Sequence, residues 1–111
     1  MKVTWTRPAL RDIGGVQDYI SRDSPRAAYE VTNSLINRTN ALLTENPMAG
    51  RNGRARGTRE LVFSDLPYII TYRMTDRIEI LAVVHAARDW PSSFNYSLPV
   101  KQKSVLPYAL A

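Results

Sequence analysis

The apolar residues of this 111-residue chain change their spacing partway along the sequence. Before residue 46 they recur every three or four positions, and after residue 60 they lie in runs rich in β-branched and aromatic side chains. The first spacing places side chains on one face of a helix, whereas the second composition favours strands. The sequence therefore predicts helices followed by a sheet, which is the pattern of an α+β domain.

The first half predicts a short strand and two helices. Residues 2–6 (KVTWT) are β-prone, and a helix beginning near Pro8 would place Ala9, Ile13, Val16 and Ile20 on one face. Ser24-Pro25 predicts the start of a second helix that ends before Asn46-Pro47. The predicted apolar face of that helix comprises Ala28, Val31, Leu35 and Leu42, with Ile36 and Leu43 at its edges.

The second half predicts a loop and an antiparallel meander. Residues 47–58 hold three glycines and a proline, and the runs at 60–63, 68–74 and 77–85 are separated by short polar connections. In the last strand, alternation places Ile78, Ile80, Ala82 and Val84 on one face and Leu81 and Val83 on the other, with both faces covered. The predicted architecture is an N-terminal strand, an α-helical hairpin and a three-stranded antiparallel meander. The sheet face away from the helices would then carry Arg59, Arg73, Tyr68 and Tyr72.

Positive charge is concentrated in one short segment. Residues 51–60 carry four arginines and one acid, which is three of the net five positive charges. The planar fork of arginine suits phosphate and carboxylate, so nucleic acid or an acidic protein segment is the expected partner. With no cysteine and one histidine, we expect no metal and no cofactor. The sequence lacks an apolar run of membrane-spanning length, so we expect a cytoplasmic protein without a membrane partner.

Three segments resemble the RelE/ParE superfamily of bacterial toxins from type II toxin-antitoxin operons. They are GRNGRARGTREL at 50–61, PYIITYR at 67–73 and IEILAVVHAARDWP at 78–91, and the resemblance extends over about residues 2–94. It implies a toxin domain over residues 1–94. Residues 95–111 lie outside the resemblance and show neither period, so we expect a loosely ordered tail. It also implies an acidic, partly disordered cognate antitoxin in a hetero-oligomeric complex.

The superfamily includes two activities on one fold. RelE-like members cleave mRNA on the ribosome, whereas ParE-like members poison DNA gyrase. Metal-free RNA cleavage needs a base, an acid and cations around the phosphate. His85, expected next to the basic region, is the candidate acid or base, and Arg59, Arg73 and Arg88 are candidate phosphate ligands. The second proton-transfer group stays open between Glu60, Tyr68 and Tyr72.

The absence of a clear set of nuclease residues favours the ParE-like activity. In that case His85 is a structural residue. The candidate residues for binding the target or the antitoxin are Arg51, Arg54, Arg56, Arg59, Arg73, Tyr68 and Tyr72. The alternatives are a RelE-like ribosome-dependent mRNA endonuclease and a non-toxic relative that only binds an acidic protein.

Overall fold

A computed structural model describes residues 1–86 and shows two helices packed on a five-stranded sheet. The helices are α1 (Arg7–Ser21) and α2 (Pro25–Glu45). The strands are β1 (Val3–Trp5), β2 (Arg51–Asn52), β3 (Arg59–Val62), β4 (Tyr68–Met74) and β5 (Ile78–His85). The predicted α+β class and the helical hairpin are confirmed. The predicted boundary at residue 94 and the tail at 95–111 lie outside the described residues.

Both helices begin at a hydroxyl side chain that caps the first turn. The Ala9 N–H donates to Thr6 Oγ1 at 3.4 Å, and the Ala27 N–H donates to Ser24 Oγ at 3.1 Å. A proline lies in the first turn of each helix, where its missing N–H costs no helical hydrogen bond. The second helix therefore begins at the Ser24-Pro25 signal that the sequence predicted.

The strands lie in the order β1-β5-β4-β3-β2. Strands β2 to β5 pair antiparallel with their sequence neighbours, and β1 pairs parallel with β5. The predicted meander of β3, β4 and β5 is thus confirmed, and β1 extends it on the far side of β5. Strand β2 lies inside the segment predicted as a loop, because a strand of two residues carries no detectable alternation.

The main core lies between the helices and one face of the sheet, hereafter the helix-covered face. On α2 the buried positions follow a spacing of three and four but include two threonines: Ala28, Thr32, Leu35, Thr39 and Leu43. Leu42 is 43% exposed, so its predicted place in the core is wrong. The sequence prediction placed this face wrongly because it considered apolar residues alone. Thr32 can be buried because its hydroxyl donates a hydrogen bond within the helix, to the Ala28 carbonyl at 2.9 Å.

A bulge in β5 reverses which side chains face the helices. Thr71 lies opposite Ala82 and Tyr72 opposite Ile80, so Leu81 is the extra residue. Beyond the bulge Val83 joins Ile78 and Ile80 in the main core. The predicted single face through residues 78, 80, 82 and 84 is therefore wrong from residue 82 onward. Val83 and Val84 are both buried, so the predicted cover on both faces is confirmed.

The second face of the sheet has a charged end and an apolar end. Glu60 lies opposite Thr71 and Arg73 opposite Glu79 toward one end, while Ile69 lies opposite Val84 toward the other. Tyr68 and Tyr72 belong instead to the main core on the helix-covered face, where they are 4% and 0% exposed. The expectation that these two tyrosines lie on the sheet face away from the helices is wrong, and it is also wrong for Arg59, which lies directly opposite Tyr72. Alternation along β4 puts positions 68 and 72 on the same face as Ile70, which packs against the helices.

Candidate functional site

A buried carboxylate organises the arginine-rich segment, which we call the arginine loop (residues 51–58). Glu60 Oε1 accepts a hydrogen bond from Arg51 Nη2 at 2.8 Å, and Oε2 accepts from Arg54 Nη1 at 2.8 Å and from the Arg54 N–H at 3.0 Å. The Glu60 side chain is 1% exposed and that of Arg54 is 6% exposed. A buried charge needs such partners because desolvation otherwise makes it costly. Two of the five predicted binding arginines therefore have an internal structural role.

The end of α2 and the arginine loop are joined by a second buried contact. The Tyr72 hydroxyl donates to the Pro47 carbonyl at 2.8 Å and accepts from the Gly50 N–H at 2.8 Å. A Cβ on Gly50 would lie 2.7 Å from Tyr72 Cε1 and 2.8 Å from the Glu60 carbonyl oxygen. Only glycine lets the backbone at residue 50 lie this close to the Tyr72 ring and the Glu60 carbonyl without displacing backbone. Tyr72 is thus an anchor for the loop rather than a surface residue.

The outward side of the loop carries Arg56 and Arg59. Arg56 is exposed, and Arg59 donates to the carbonyl oxygens of Gly50 and Met48 at 2.9 and 3.3 Å. Carbonyl partners hold the Arg59 guanidinium in place without cancelling its charge. Both arginines line a hollow of about 390 Å³ at the tip of the loop. This hollow can hold an anionic group.

Arg73 lies on the second sheet face beside Glu79. Arg73 Nε donates to Glu79 Oε1 at 2.6 Å, and about half of the Arg73 side chain is exposed. An exposed ion pair of this kind exchanges partners at little free-energy cost. Arg73 can therefore meet a carboxylate or phosphate from another molecule, at the same end of the sheet as Glu60.

His85 lies on the other side of the sheet from Glu60 and at the opposite end from the arginine loop. It pairs with Tyr68 across the strands, and the two rings meet edge to face with centroids 5.2 Å apart. Arg59 pairs with Tyr72, four positions further along β4, which is roughly 13 Å at the usual rise per residue. The expectation that His85 lies next to the arginine-rich region is wrong. Arg88, the remaining candidate phosphate ligand, lies outside the described residues.

The structure instead places His85 in a cleft between α1 and β5, which we call the α1–β5 cleft. Its volume is about 510 Å³. The walls are formed by Arg11, Asp12, Gly15, Val16, Tyr19 and Arg22 of α1 and by Tyr68, Val83, Val84 and His85 of the sheet. The sequence assigned none of the α1 residues to a site, because their spacing of three and four is also that of an ordinary solvated helix face.

Asp12 fastens α1 to β5 at this cleft. Its Oδ2 accepts a hydrogen bond from the Val83 N–H at 2.9 Å, beyond the last pair between β1 and β5. Burial raises the pKa of the Asp12 carboxyl above its usual value, while the Val83 N–H and the charge of Arg11 oppose that shift. Asp12 thereby occupies a donor on the edge of β5.

Comparison with known proteins agrees with this architecture. The family described as ParE toxin of type II toxin-antitoxin system, parDE, matches residues 3–90. Protein Y4kP of Sinorhizobium fredii is 44% identical over 90 residues, covering 81% of this chain and 93% of that protein. Toxin RelE2 of Caulobacter vibrioides is 39% identical over 88 residues, covering 78% of this chain and 97% of that toxin.

A solved structure of the chromosomal ParDE toxin-antitoxin system from P. aeruginosa superposes with a TM-score of 0.67 at 27% identity. The match covers 75% of this chain and 92% of that one. The chain therefore belongs to the ParE toxin family of type II toxin-antitoxin systems, within the RelE/ParE superfamily. Membership implies a cognate antitoxin as a partner. Within residues 1–86, neither helix is both long and apolar enough to cross a bilayer.

Proposed function

We propose that this chain is a ParE-like toxin of the cytoplasm that inhibits DNA gyrase and is neutralised by an acidic cognate antitoxin. The observation that carries the proposal is the separation of the candidate nuclease groups. His85 lies on the helix-covered face, whereas Glu60 lies on the second face and is already bound by two arginines. Within the described residues, no candidate acid and base flank an arginine cradle.

This separation matters because RNA cleavage without a metal is a matter of geometry. A general base and a general acid must each reach within hydrogen-bond distance of the reacting oxygens. A nucleotide at the arginine loop would lie about four strand residues, roughly 13 Å, from His85. Glu60 is 1% exposed, so it cannot reach a bound RNA without leaving its own ion pairs. The arrangement favours binding over catalysis.

We place antitoxin contact at the outward arginines, Arg56 and Arg59. Carboxylates of an acidic segment would meet charge there that no side-chain carboxylate of the loop cancels, whereas Arg51 and Arg54 already bind Glu60. Arg56→Gln should weaken antitoxin binding and lower its dependence on salt. Arg26→Gln is the matched control, since Arg26 is exposed on α2 and pairs with its helical neighbour Glu30. Equal affinity and salt dependence in both variants would contradict this placement.

The deciding experiment runs two assays in parallel on purified full-length protein. One measures gyrase supercoiling and cleaved DNA, and the other measures mRNA cleavage on programmed ribosomes. We expect gyrase inhibition with intact mRNA, and the same inhibition by a folded His85→Ala variant. Cleaved mRNA with unaffected gyrase, abolished by His85→Ala, would establish the RelE-like endonuclease instead. A third outcome is that gyrase and mRNA are both unaffected and that cells expressing the protein grow normally. The chain would then be a binder of the antitoxin only, which also contradicts the proposal.

A further inference from the structure

We infer that the α1–β5 cleft binds a nucleoside phosphate, independently of the target of the toxin. The cleft lies on the helix-covered side of the sheet, away from the arginine loop. Its volume of about 510 Å³ falls within the range of small-molecule sites, roughly 300–1,000 Å³. Three properties of its walls decide what it can bind: their charge, their aromatic surface and the state of the adjacent strand edge.

The charge of the cleft is positive. Arg11 and Arg22 are both exposed at its rim, and Asp12 is the one carboxylate among the described residues that line it. That carboxylate accepts the Val83 N–H, so one of its oxygens is already turned to the backbone. An anion is therefore the favoured occupant.

The aromatic surface favours a ligand with a planar ring. Tyr19, Tyr68 and His85 all line the cleft, and Tyr19 is 47% exposed with the Arg22 guanidinium 5.8 Å from its ring centroid. Aromatic side chains beside arginines are the usual means of holding a base next to its phosphate. A base against the exposed ring of Tyr19 and a phosphate at one arginine would satisfy both kinds of surface.

The spacing of the arginines sets the length of the ligand. Residues 11 and 22 lie roughly 16 Å apart along the axis of α1 at 1.5 Å per residue. Arginine side chains that leave the helix this far apart suit two separate phosphates better than one, so the second arginine is placed for a further phosphate. That phosphate can come from a nucleoside di- or triphosphate or from the next unit of a single strand.

The strand edge argues against an acidic peptide as the occupant. A peptide that added a strand to β5 would need the Val83 N–H, which Asp12 already occupies. Recognition in this cleft therefore depends on side chains rather than on strand addition.

The test is a titration of isotope-labelled full-length protein with AMP, followed by amide chemical shifts. We expect shifts at residues 11–22 and 83–85, with adenosine and inorganic phosphate each binding roughly tenfold more weakly than AMP. ADP and a short deoxyadenosine oligonucleotide distinguish the two sources of the second phosphate: the tighter of the two identifies the ligand. Absence of shifts with AMP, or shifts confined to residues 51–59, would overturn the inference.

Two glycines provide a matched pair of blocking variants. Gly14 and Gly15 are both exposed in α1, and a Cβ on either would meet nothing within 4 Å, but only Gly15 lines the cleft. Gly15→Leu should fill the opening and abolish AMP binding, whereas Gly14→Leu should preserve it. Equal binding by the two variants would contradict a site in this cleft.

Charge variants give effects of opposite sign. One of the two variants Arg11→Gln and Arg22→Gln should weaken AMP binding roughly tenfold, the value of a charge-assisted hydrogen bond, and both should weaken binding of the ligand with two phosphates, whereas Arg7→Gln outside the cleft should change neither. Asp12→Asn keeps an oxygen for the Val83 N–H and removes the negative charge, so it should tighten AMP binding. If Asp12→Asn weakened binding while the fold was intact, the assignment of an anionic ligand would be wrong.

Discussion

The arginine loop and the α1–β5 cleft use positive charge in opposite ways. In the loop, Glu60 lies between Arg51 and Arg54, and most of that charge turns inward. In the cleft, Arg11 and Arg22 stay at the surface, and the neighbouring carboxylate of Asp12 binds a backbone N–H. The four arginines at 51–59 thus offer a partner Arg56 and Arg59, which is no more than the two arginines of the cleft. The acceptors that fold beside a cation, more than the number of cations, decide what a surface can bind.

The variant with the largest expected effect on stability removes the buried carboxylate of Glu60. Glu60→Ala would remove the carboxylate that pairs with the buried Arg54, and breaking a buried pair costs about 3–5 kcal/mol of unfolding free energy. Glu79→Ala is the control, because its partner Arg73 is half exposed and such pairs contribute about 1 kcal/mol or less. Urea denaturation measures both. If the two variants lost equal stability, Glu60 would not be the organising residue of the loop.

The close approach at Gly50 gives the next effect. Gly50→Ala forces a Cβ against the Glu60 carbonyl and the Tyr72 ring, and such overpacking costs about 1–3 kcal/mol. Gly14→Ala should instead stabilise the protein by about 0.5–1 kcal/mol, because it lies in open space within a helix. Thermal unfolding of the two variants compares them directly. If both substitutions lowered the unfolding temperature, Gly14 would be packed against a neighbour, which contradicts the open space that this structure shows there.

Asp12 tests the attachment of the cleft. Asp12→Ala leaves the Val83 N–H without its acceptor, for a loss of about 1–3 kcal/mol, whereas Asp12→Asn retains an acceptor. Denaturant unfolding at pH 7 separates the two. Stability losses of the same size would mean that the hydrogen bond to Val83 contributes nothing.

The pH dependence of Asp12 has a definite sign. Because burial raises the pKa of this carboxyl, the folded state binds its proton more tightly than the unfolded state. The resulting stabilisation is present below the unfolded value of 3.8 and is lost as pH rises through the folded pKa. Relative to wild type, Asp12→Asn should therefore gain stability between pH 3 and neutral pH. A relative loss over that range would contradict the sign.

The smallest effect belongs to the exposed pair on the second face. Arg73→Gln should change the unfolding free energy by less than about 1 kcal/mol, and the difference should shrink at high salt because exposed charges are screened. Denaturation at low and high salt checks this. A salt-independent loss of several kcal/mol would place Arg73 in the same class as Arg54.

The sequence by itself determined the elements and the family. Capping residues at Ser24 and prolines in the first turns mark the helices, and the segment at 68–74 predicts β4 to the residue. These signals are local, because a cap or an alternating run depends on residues a few positions apart. Membership of the family was likewise visible in three short segments, so the toxin class could be recognised before the fold was known.

Only the tertiary structure decided which charged and aromatic residues are available. Register between strands turned Glu60 toward Arg51 and Arg54, put Tyr68 and Tyr72 under the helices, and placed His85 beside α1. A single bulge at Leu81 set the faces of the last half of β5. Such outcomes depend on partners far apart in the chain, and a shift of one residue in register would reverse every face. For that reason the sequence could identify the arginines but not which of them a partner can reach.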